Sequence, residues 1–90
     1  MKRIRVRVYG DVQGVFFRYT TKKTAKKLGL CGWCQNEGDG SVHIVVEGED
    51  KNVDKFVEWA KEGPPMARVE KIEVNDEKEE ESLNKKFEVR

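Results

Sequence analysis

The chain has 90 residues, 39% of them charged, and a formal net charge of +1. This length predicts a single domain over residues 1–90, and the balanced charge excludes a global field that would favour nucleic acid or a membrane surface. No apolar run approaches the roughly 20 residues that span a bilayer. The basic residues at the start are not followed by the apolar segment of a signal peptide, so we expect a cytoplasmic location.

The first half of the chain predicts a strand, a glycine-containing loop and a helix. Strict alternation in "RIRVRV" (3–8) is typical of a half-buried strand. The next stretch, "YGDVQGVFFR" (9–18), passes through two glycines into a helix. One side of this helix carries Phe17, Thr21, Ala25 and Leu28, which recur at intervals of four, four and three, as a helical stripe requires. Gly29 suits the end of this helix.

The second half predicts a hairpin, a helix and two further strands. Residues 30–36 and 41–48 flank a loop with two glycines, which is typical of a hairpin. A helix follows, with Glu49 or Asp50 as its cap and Gly63 at its end. Residues 67–74 form the next strand, and their irregular alternation indicates a bulge or twist. The acidic stretch 75–86 is expected to be a solvated loop, and "FEVR" to be a short last strand.

The order of elements is βαββαβ with a short final strand. Two helices of this length cover one face of a mostly antiparallel sheet, so the sequence predicts an α+β, ferredoxin-like sandwich. This fold alone does not identify a function.

The two cysteines, in "CGWC" (31–34), fall within a predicted strand. An odd offset along a strand directs side chains to opposite faces, whereas a disulfide needs Cα atoms within about 7 Å. A structural zinc site needs about four ligands, and the chain has one His. We expect Cys31 and Cys34 to pack as small apolar groups, with no metal site.

The loop at residues 10–18 has the features of an anion site. Gly10 and Gly14 permit backbone angles that direct successive N–H groups toward one point. The helix that follows begins with unpaired N–H groups and a partial positive charge, and the fork of Arg18 can bind two phosphate oxygens. From spacing alone, a tight turn with a surface arginine remains an equal alternative. The spacing does not fit a nucleotide-binding loop.

Two long motifs resemble the signatures of the acylphosphatase family. The stretch "VYGDVQGVFFR" resembles the first signature, G-x-V-Q-G-V-x-F-R, and "GWCQNEGDGSVHIVVEG" resembles the second. Members of the family also have residues similar to "GPPMARV" and "FEVR" at the corresponding places. The resemblance covers nearly the whole chain. It implies a small, monomeric, ferredoxin-like enzyme without metal or cofactor, which hydrolyses acyl phosphates and binds phosphate or sulfate in its loop.

The same resemblance implies the residues of the site. Arg18 would bind phosphate and Asn36 would position water, and the loop would cradle phosphate through the backbone N–H groups of Gln13, Gly14, Val15, Phe16, Phe17 and Arg18. The chemistry is consistent with this set, because a carboxylate leaving group, with a conjugate acid of pKa about 4, needs no general acid. The lysines of the first helix are expected to form a solvated face that also attracts anionic substrate.

Several alternatives remain beside this interpretation. Asn36 is also a common turn residue, Gln13 can close the loop through its side chain, and His43 is expected to be exposed and idle. Glu37 departs from many relatives, and would either loosen Asn36 or add negative charge near the phosphate. A phosphate-binding, RNA-binding or regulatory module without catalysis is the rival class, although strand 41–48 lacks the aromatics that stack RNA bases.

Overall fold

The computed structural model describes residues 1–77 and 86–90. Its elements follow the predicted order, and their bounds are β1 (Lys2–Asp11), α1 (Phe17–Lys27), β2 (Cys31–Asn36), β3 (Val42–Gly48), α2 (Asp50–Glu62), β4 (Arg68–Asp76) and β5 (Phe87–Val89). The predicted α+β, ferredoxin-like class is confirmed. Neither helix in this described part has the length and apolar character needed to cross a membrane.

One five-stranded sheet has the order β4-β1-β3-β2-β5. Its neighbours pair antiparallel except β5, which runs parallel to β2. The alternation of β1 buries one row of side chains on the helix-covered face, Ile4, Val6 and Val8. Both helices add their apolar stripes to the same core: Phe17 and Ala25 from α1, and Val53, Phe56 and Ala60 from α2. The opposite face of the sheet, here called the open face, carries the arginines of β1.

The irregular alternation predicted near residue 70 is a β-bulge. Tyr9 of β1 pairs with Lys71 of β4, but Gly10 pairs with Val69, so one residue of β4 is left over. Gly10 has a φ of 130°, and a Cβ there would lie 2.1 Å from the carbonyl oxygen of Arg68. Only glycine therefore fits at this position near the end of β1.

The end of β4 differs from the prediction. The strand continues to Asp76 because Asn75 and Asp76 pair with Arg5 and Ile4 of β1, so the expected loop at residues 75–86 begins later. The rest of that expected loop, residues 78–85, lies outside the described residues.

The helix ends agree with the predicted positions. Gly29 follows α1 with a φ of 69°, and Gly63 ends α2 with a φ of 71°. Glu49 occupies the N-cap position of α2, but its side chain makes no capping hydrogen bond. The sequence therefore predicted that Glu49 or Asp50 occupies the N-cap position of α2. It did not predict that the Glu49 side chain makes no hydrogen bond there.

Candidate active site

A pocket of about 460 Å³ opens where the loop after β1 meets the end of β2. Five of the seven residues predicted for the site line it: Gly14, Phe16, Phe17, Arg18 and Asn36. Val12, Tyr19, Lys22 and Val89 line it as well. Residues from two separate sequence motifs, such as Arg18 from the first and Asn36 from the second, therefore meet at one cavity.

The loop backbone enters α1 through left-handed conformations. Gly14 has a φ of 75°, and Phe16, the N-cap residue, has φ 60° and ψ 22°. The first backbone bond of the helix runs from the Thr20 N–H to the Phe16 carbonyl, at 3.0 Å, so the preceding N–H groups lie ahead of the helical ladder. No side chain caps this end, and its first turn contains no acidic residue. The helix start thus keeps its partial positive charge, which suits an anion.

Arg18 lies in the first turn of α1, and its side chain contacts Arg90, the residue that follows β5. Its guanidinium donates a hydrogen bond of 2.7 Å to the main-chain oxygen of Arg90. Lys22 lies four residues further along, on the same side of the helix, and lines the same pocket. The pocket wall is therefore cationic.

The side chain of Gln13 does not line the pocket. Its amide nitrogen donates to the carbonyl oxygens of Glu37, at 2.8 Å, and Ser41, at 2.9 Å. This contact fits the loop-closing interpretation of that side chain. Val15 is half-buried against the core and does not line the pocket either. Participation of the Gln13 and Val15 backbone N–H groups in phosphate binding stays a prediction.

Asn36 is the last residue of β2 and pairs with Val42 of β3. Its side chain is exposed at the pocket, directly before the turn. The turn is tightly bonded: the Glu37 N–H donates to the Ser41 carbonyl at 2.8 Å, and both the Ser41 N–H and its hydroxyl donate to Asp39. These bonds from Ser41 lower the pKa of the Asp39 carboxyl. Asn36 is thus fixed at the junction of a strand and an ordered turn.

The carboxylate of Glu37 is bonded to residues of the open face and does not line the pocket. One of its oxygens accepts from the amide of Gln35 at 3.0 Å and from Nδ1 of His43 at 3.1 Å, and it lies 3.3 Å from the guanidinium of Arg7. The hydrogen bond from Gln35, then that from His43, lowers the pKa of Glu37. The charge of this residue is thus engaged by three donors across strands β2, β3 and β1.

The prediction that His43 is exposed and idle is wrong. Its side chain is only 15% exposed, and its ring meets that of Trp33 edge-on, with centroids 5.0 Å apart. Because the Glu37 carboxylate only accepts, Nδ1 of His43 must carry a proton in this contact. Its Nε2 is buried with no hydrogen-bond partner among the described residues. His43 is therefore a packed structural residue of the open face.

The cysteines lie on opposite faces of β2, as predicted. Cys34 is fully buried in the core, whereas Cys31 is half-buried beside the carbonyl oxygen of Glu47, at 3.7 Å. Burial raises the pKa of the Cys34 thiol to about 12, and burial together with the Glu47 charge raises that of Cys31. In residues 1–77 and 86–90, no three His, Cys, Asp or Glu side chains form a group that would hold a metal.

Comparison with known proteins gives one consistent result. A family model described as Acylphosphatase matches residues 4–89. The acylphosphatase of Rubrobacter xylanophilus is 55% identical over 84% of this chain and 69% of its own, and that of Thermococcus kodakarensis is 48% identical over 89% and 90%. The crystal structure of the acylphosphatase from Bacillus subtilis superposes with a TM-score of 0.94 at 38% identity, covering 100% of this chain and 99% of that one. The chain therefore belongs to the acylphosphatase family.

Proposed function

We propose that this acylphosphatase holds the phosphoryl group between the guanidinium of Arg18 and the backbone N–H groups of residues 13–18, while Asn36 orients the attacking water. The observation that carries this proposal is the shared pocket, which Gly14, Arg18 and Asn36 line together. The uncapped start of α1 and the cationic wall support it, since both favour an anion at this place.

The reaction needs positioning and charge stabilisation more than acid–base groups. Water attacks phosphorus, and the bond between phosphorus and the carboxyl oxygen breaks with its electron pair leaving on that oxygen. An acyl phosphate dianion and one water thus give a carboxylate and dihydrogen phosphate. Both protons of the water end on phosphate oxygens, so the substrate accepts the proton that the nucleophile loses. The carboxylate departs unaided, because its conjugate acid has a pKa of about 4.

Hydrolysis of benzoyl phosphate, measured in the presence of a chelator, tests the proposal. We expect wild-type turnover without added metal. Arg18→Gln should lower kcat/KM by on the order of 100-fold or more, and Asn36→Ala should lower kcat by on the order of 100-fold with little change in KM.

The matched controls come from strand β4. Arg68→Gln and Asn75→Ala make the same chemical changes at exposed positions and should keep wild-type rates. Absence of turnover in folded wild-type protein would overturn the catalytic proposal, and inorganic phosphate that stabilises this inactive protein would favour a binding module. Unchanged kinetics in Arg18→Gln would reject the role given to that residue.

The proposal also includes a monomer that acts in the cytoplasm on a diffusing acyl phosphate, without nucleic acid. All the residues proposed for phosphate and water belong to one copy of the chain, so a second copy is not needed to complete the pocket. Specific activity should therefore be independent of protein concentration, and light scattering after gel filtration should give a mass near 10.4 kDa.

A further inference from the structure

A second pocket, of about 510 Å³, lies beside the first, between α1 and β5. Three lysines line it, Lys22, Lys26 and Lys86, and Gly29, Leu30 and Phe87 complete its lining. Lys22 lines both pockets. The wall of the phosphate pocket therefore continues directly into a second cavity with a cationic rim.

The charges of this rim are not neutralised within the described residues. There, none of the three lysines forms an ion pair or a side-chain hydrogen bond, whereas Lys2, Lys61 and Lys71 each pair with a carboxylate. None of the described residues that line the two pockets is acidic. Clustered cations in a concave surface raise the local concentration of anions.

The cations follow the helix away from the phosphate site. Arg18, Lys22 and Lys26 are spaced by four residues, so they lie on one side of α1 with a rise of about 6 Å at each step. Lys23 and Lys27 line neither pocket. Lys23 and Lys27 therefore belong to the ordinary solvated face of an amphipathic helix. Lys22 and Lys26 differ from them because they line a cavity.

We infer that the second pocket is a subsite for another anionic group, a carboxylate or phosphate on the acyl part of the substrate. The inference rests on the proposed function, because it takes the phosphoryl end to lie at Arg18. The acyl chain would then extend past Lys22, and its far end would reach Lys26 and Lys86. The apolar part of the lining, Leu30 and Phe87, suits the methylene groups between the two ends. Acyl phosphates with a second anionic group are thus the preferred substrate class.

Two pairs of synthetic substrates of matched length test this inference. Succinyl monophosphate is compared with butyryl phosphate, and adipoyl monophosphate with hexanoyl phosphate, because each pair differs in a terminal carboxylate. We expect kcat/KM to favour the carboxylate member by about threefold to tenfold, since each exposed ion pair contributes a few-fold. The preference should be larger for adipoyl, which reaches Lys26 and Lys86. It should shrink when salt is raised from about 0.05 M to about 0.5 M.

Variants with matched charge separate the subsite from the overall field. Lys26→Gln with Lys86→Gln should abolish the preference for adipoyl, and should lower hexanoyl phosphate hydrolysis no more than the control pair of variants does. Lys23→Gln with Lys27→Gln removes the same charge and should retain the preference. All four positions are exposed, and circular dichroism would verify that each variant is folded.

Two results would contradict the subsite, and they differ in what they imply for the proposed function. Equal kcat/KM within both substrate pairs, or equal loss of the preference in the two double variants, overturns the subsite while leaving the hydrolytic function intact. If none of the four substrates is hydrolysed, the proposed function is overturned and the subsite with it.

Discussion

The side-chain amide of Gln13 donates a hydrogen bond of 2.8 Å to the carbonyl oxygen of Glu37, the residue that follows Asn36. The same nitrogen donates to the Ser41 carbonyl on the other side of the turn. One side chain from the phosphate loop thereby ties together both ends of the β2–β3 turn. We therefore predict that Gln13 positions Asn36 relative to the loop.

Gln13→Glu should lower kcat more than it raises KM. The substitution keeps the side-chain shape but turns a carboxylate oxygen toward two carbonyl oxygens, so the turn and Asn36 should shift away from the loop. We expect kcat to fall about tenfold and the free energy of unfolding to fall by about 1–3 kcal/mol. Steady-state kinetics with benzoyl phosphate and urea unfolding measure the two effects. Gln13→Met, which removes the donor without adding charge, should shift both in the same direction but less. Wild-type kcat in both variants would refute the positioning role.

Glu37 should contribute stability that disappears in acid. Its pKa is lowered below the usual 4.5 by hydrogen bonds from Gln35 and His43. A carboxyl whose folded pKa lies below its unfolded value adds stability above the unfolded pKa, and this stability is lost as pH falls through the folded pKa. The difference in free energy of unfolding between wild type and Glu37→Gln should therefore be present at about pH 7 and diminish as the pH falls below the usual carboxyl value of 4.5.

Urea unfolding across this range measures the difference for Glu37. Glu62→Gln, at an exposed helix end, is the matched control and should change stability little at either pH. A difference for Glu37→Gln that is equal at neutral and acid pH would contradict the proposed hydrogen-bonded carboxylate.

The native thiols should react slowly and unequally. The pKa of Cys34 is raised to about 12 by burial, and that of Cys31 is raised less strongly from a half-buried position. Only the thiolate reacts, so a disulfide-exchange reagent at about pH 8 should label Cys31 slowly and Cys34 only after unfolding. Absorbance of the released thiol counts the reacting groups. In Cys31→Ser the native protein should be unreactive, and rapid labelling of that variant would show that Cys34 is accessible.

Alanine should be tolerated far better at Gly14 than at Gly10. Both glycines have positive φ, but a Cβ at Gly14 meets nothing within 4 Å, whereas at Gly10 it would collide with the Arg68 carbonyl. Gly14→Ala should cost about 1 kcal/mol from backbone strain alone, and Gly10→Ala about 2–4 kcal/mol because β4 must move. Urea unfolding of both variants gives the comparison. Equal losses would mean that the bulge accommodates a side chain.

Local patterns were sufficient to predict much of the fold. Alternation identified β1, the stripe containing Phe17 and Ala25 identified α1, and glycines marked the helix ends, because these features depend on neighbours a few residues apart. The parallel pairing of β5 with β2 depends on contacts across the whole sheet, and no local signal encodes it. The two motifs contain most of the residues that line the pocket. Tyr19 and Val89 line it as well, but no sequence signal marked them as pocket residues.

The surroundings of His43 likewise depend on contacts that no local sequence pattern encodes. His43 alternates with the buried residues Val42, Ile44 and Val46 of β3, and this alternation alone indicated solvent exposure. What covers the ring is decided by the register of β2 on β3, which brings Trp33 beside it, and by the course of the turn, which returns Glu37 over the open face. A better sequence signal was available: two side chains able to donate, Gln35 and His43, and one carboxylate, Glu37, flank a tight turn.

The hydrogen bond from Arg18 to the main-chain oxygen of Arg90 has a consequence for the entropy of binding. A free arginine loses up to about 2 kcal/mol of side-chain freedom when it is immobilised. Here the main-chain oxygen of Arg90, the residue after β5, restrains the guanidinium as the protein folds. Its other N–H groups remain to meet the phosphoryl oxygen proposed to bind there. In the proposed site, much of this ordering precedes the arrival of the substrate, so loss of side-chain motion offsets less of the attraction between guanidinium and phosphate.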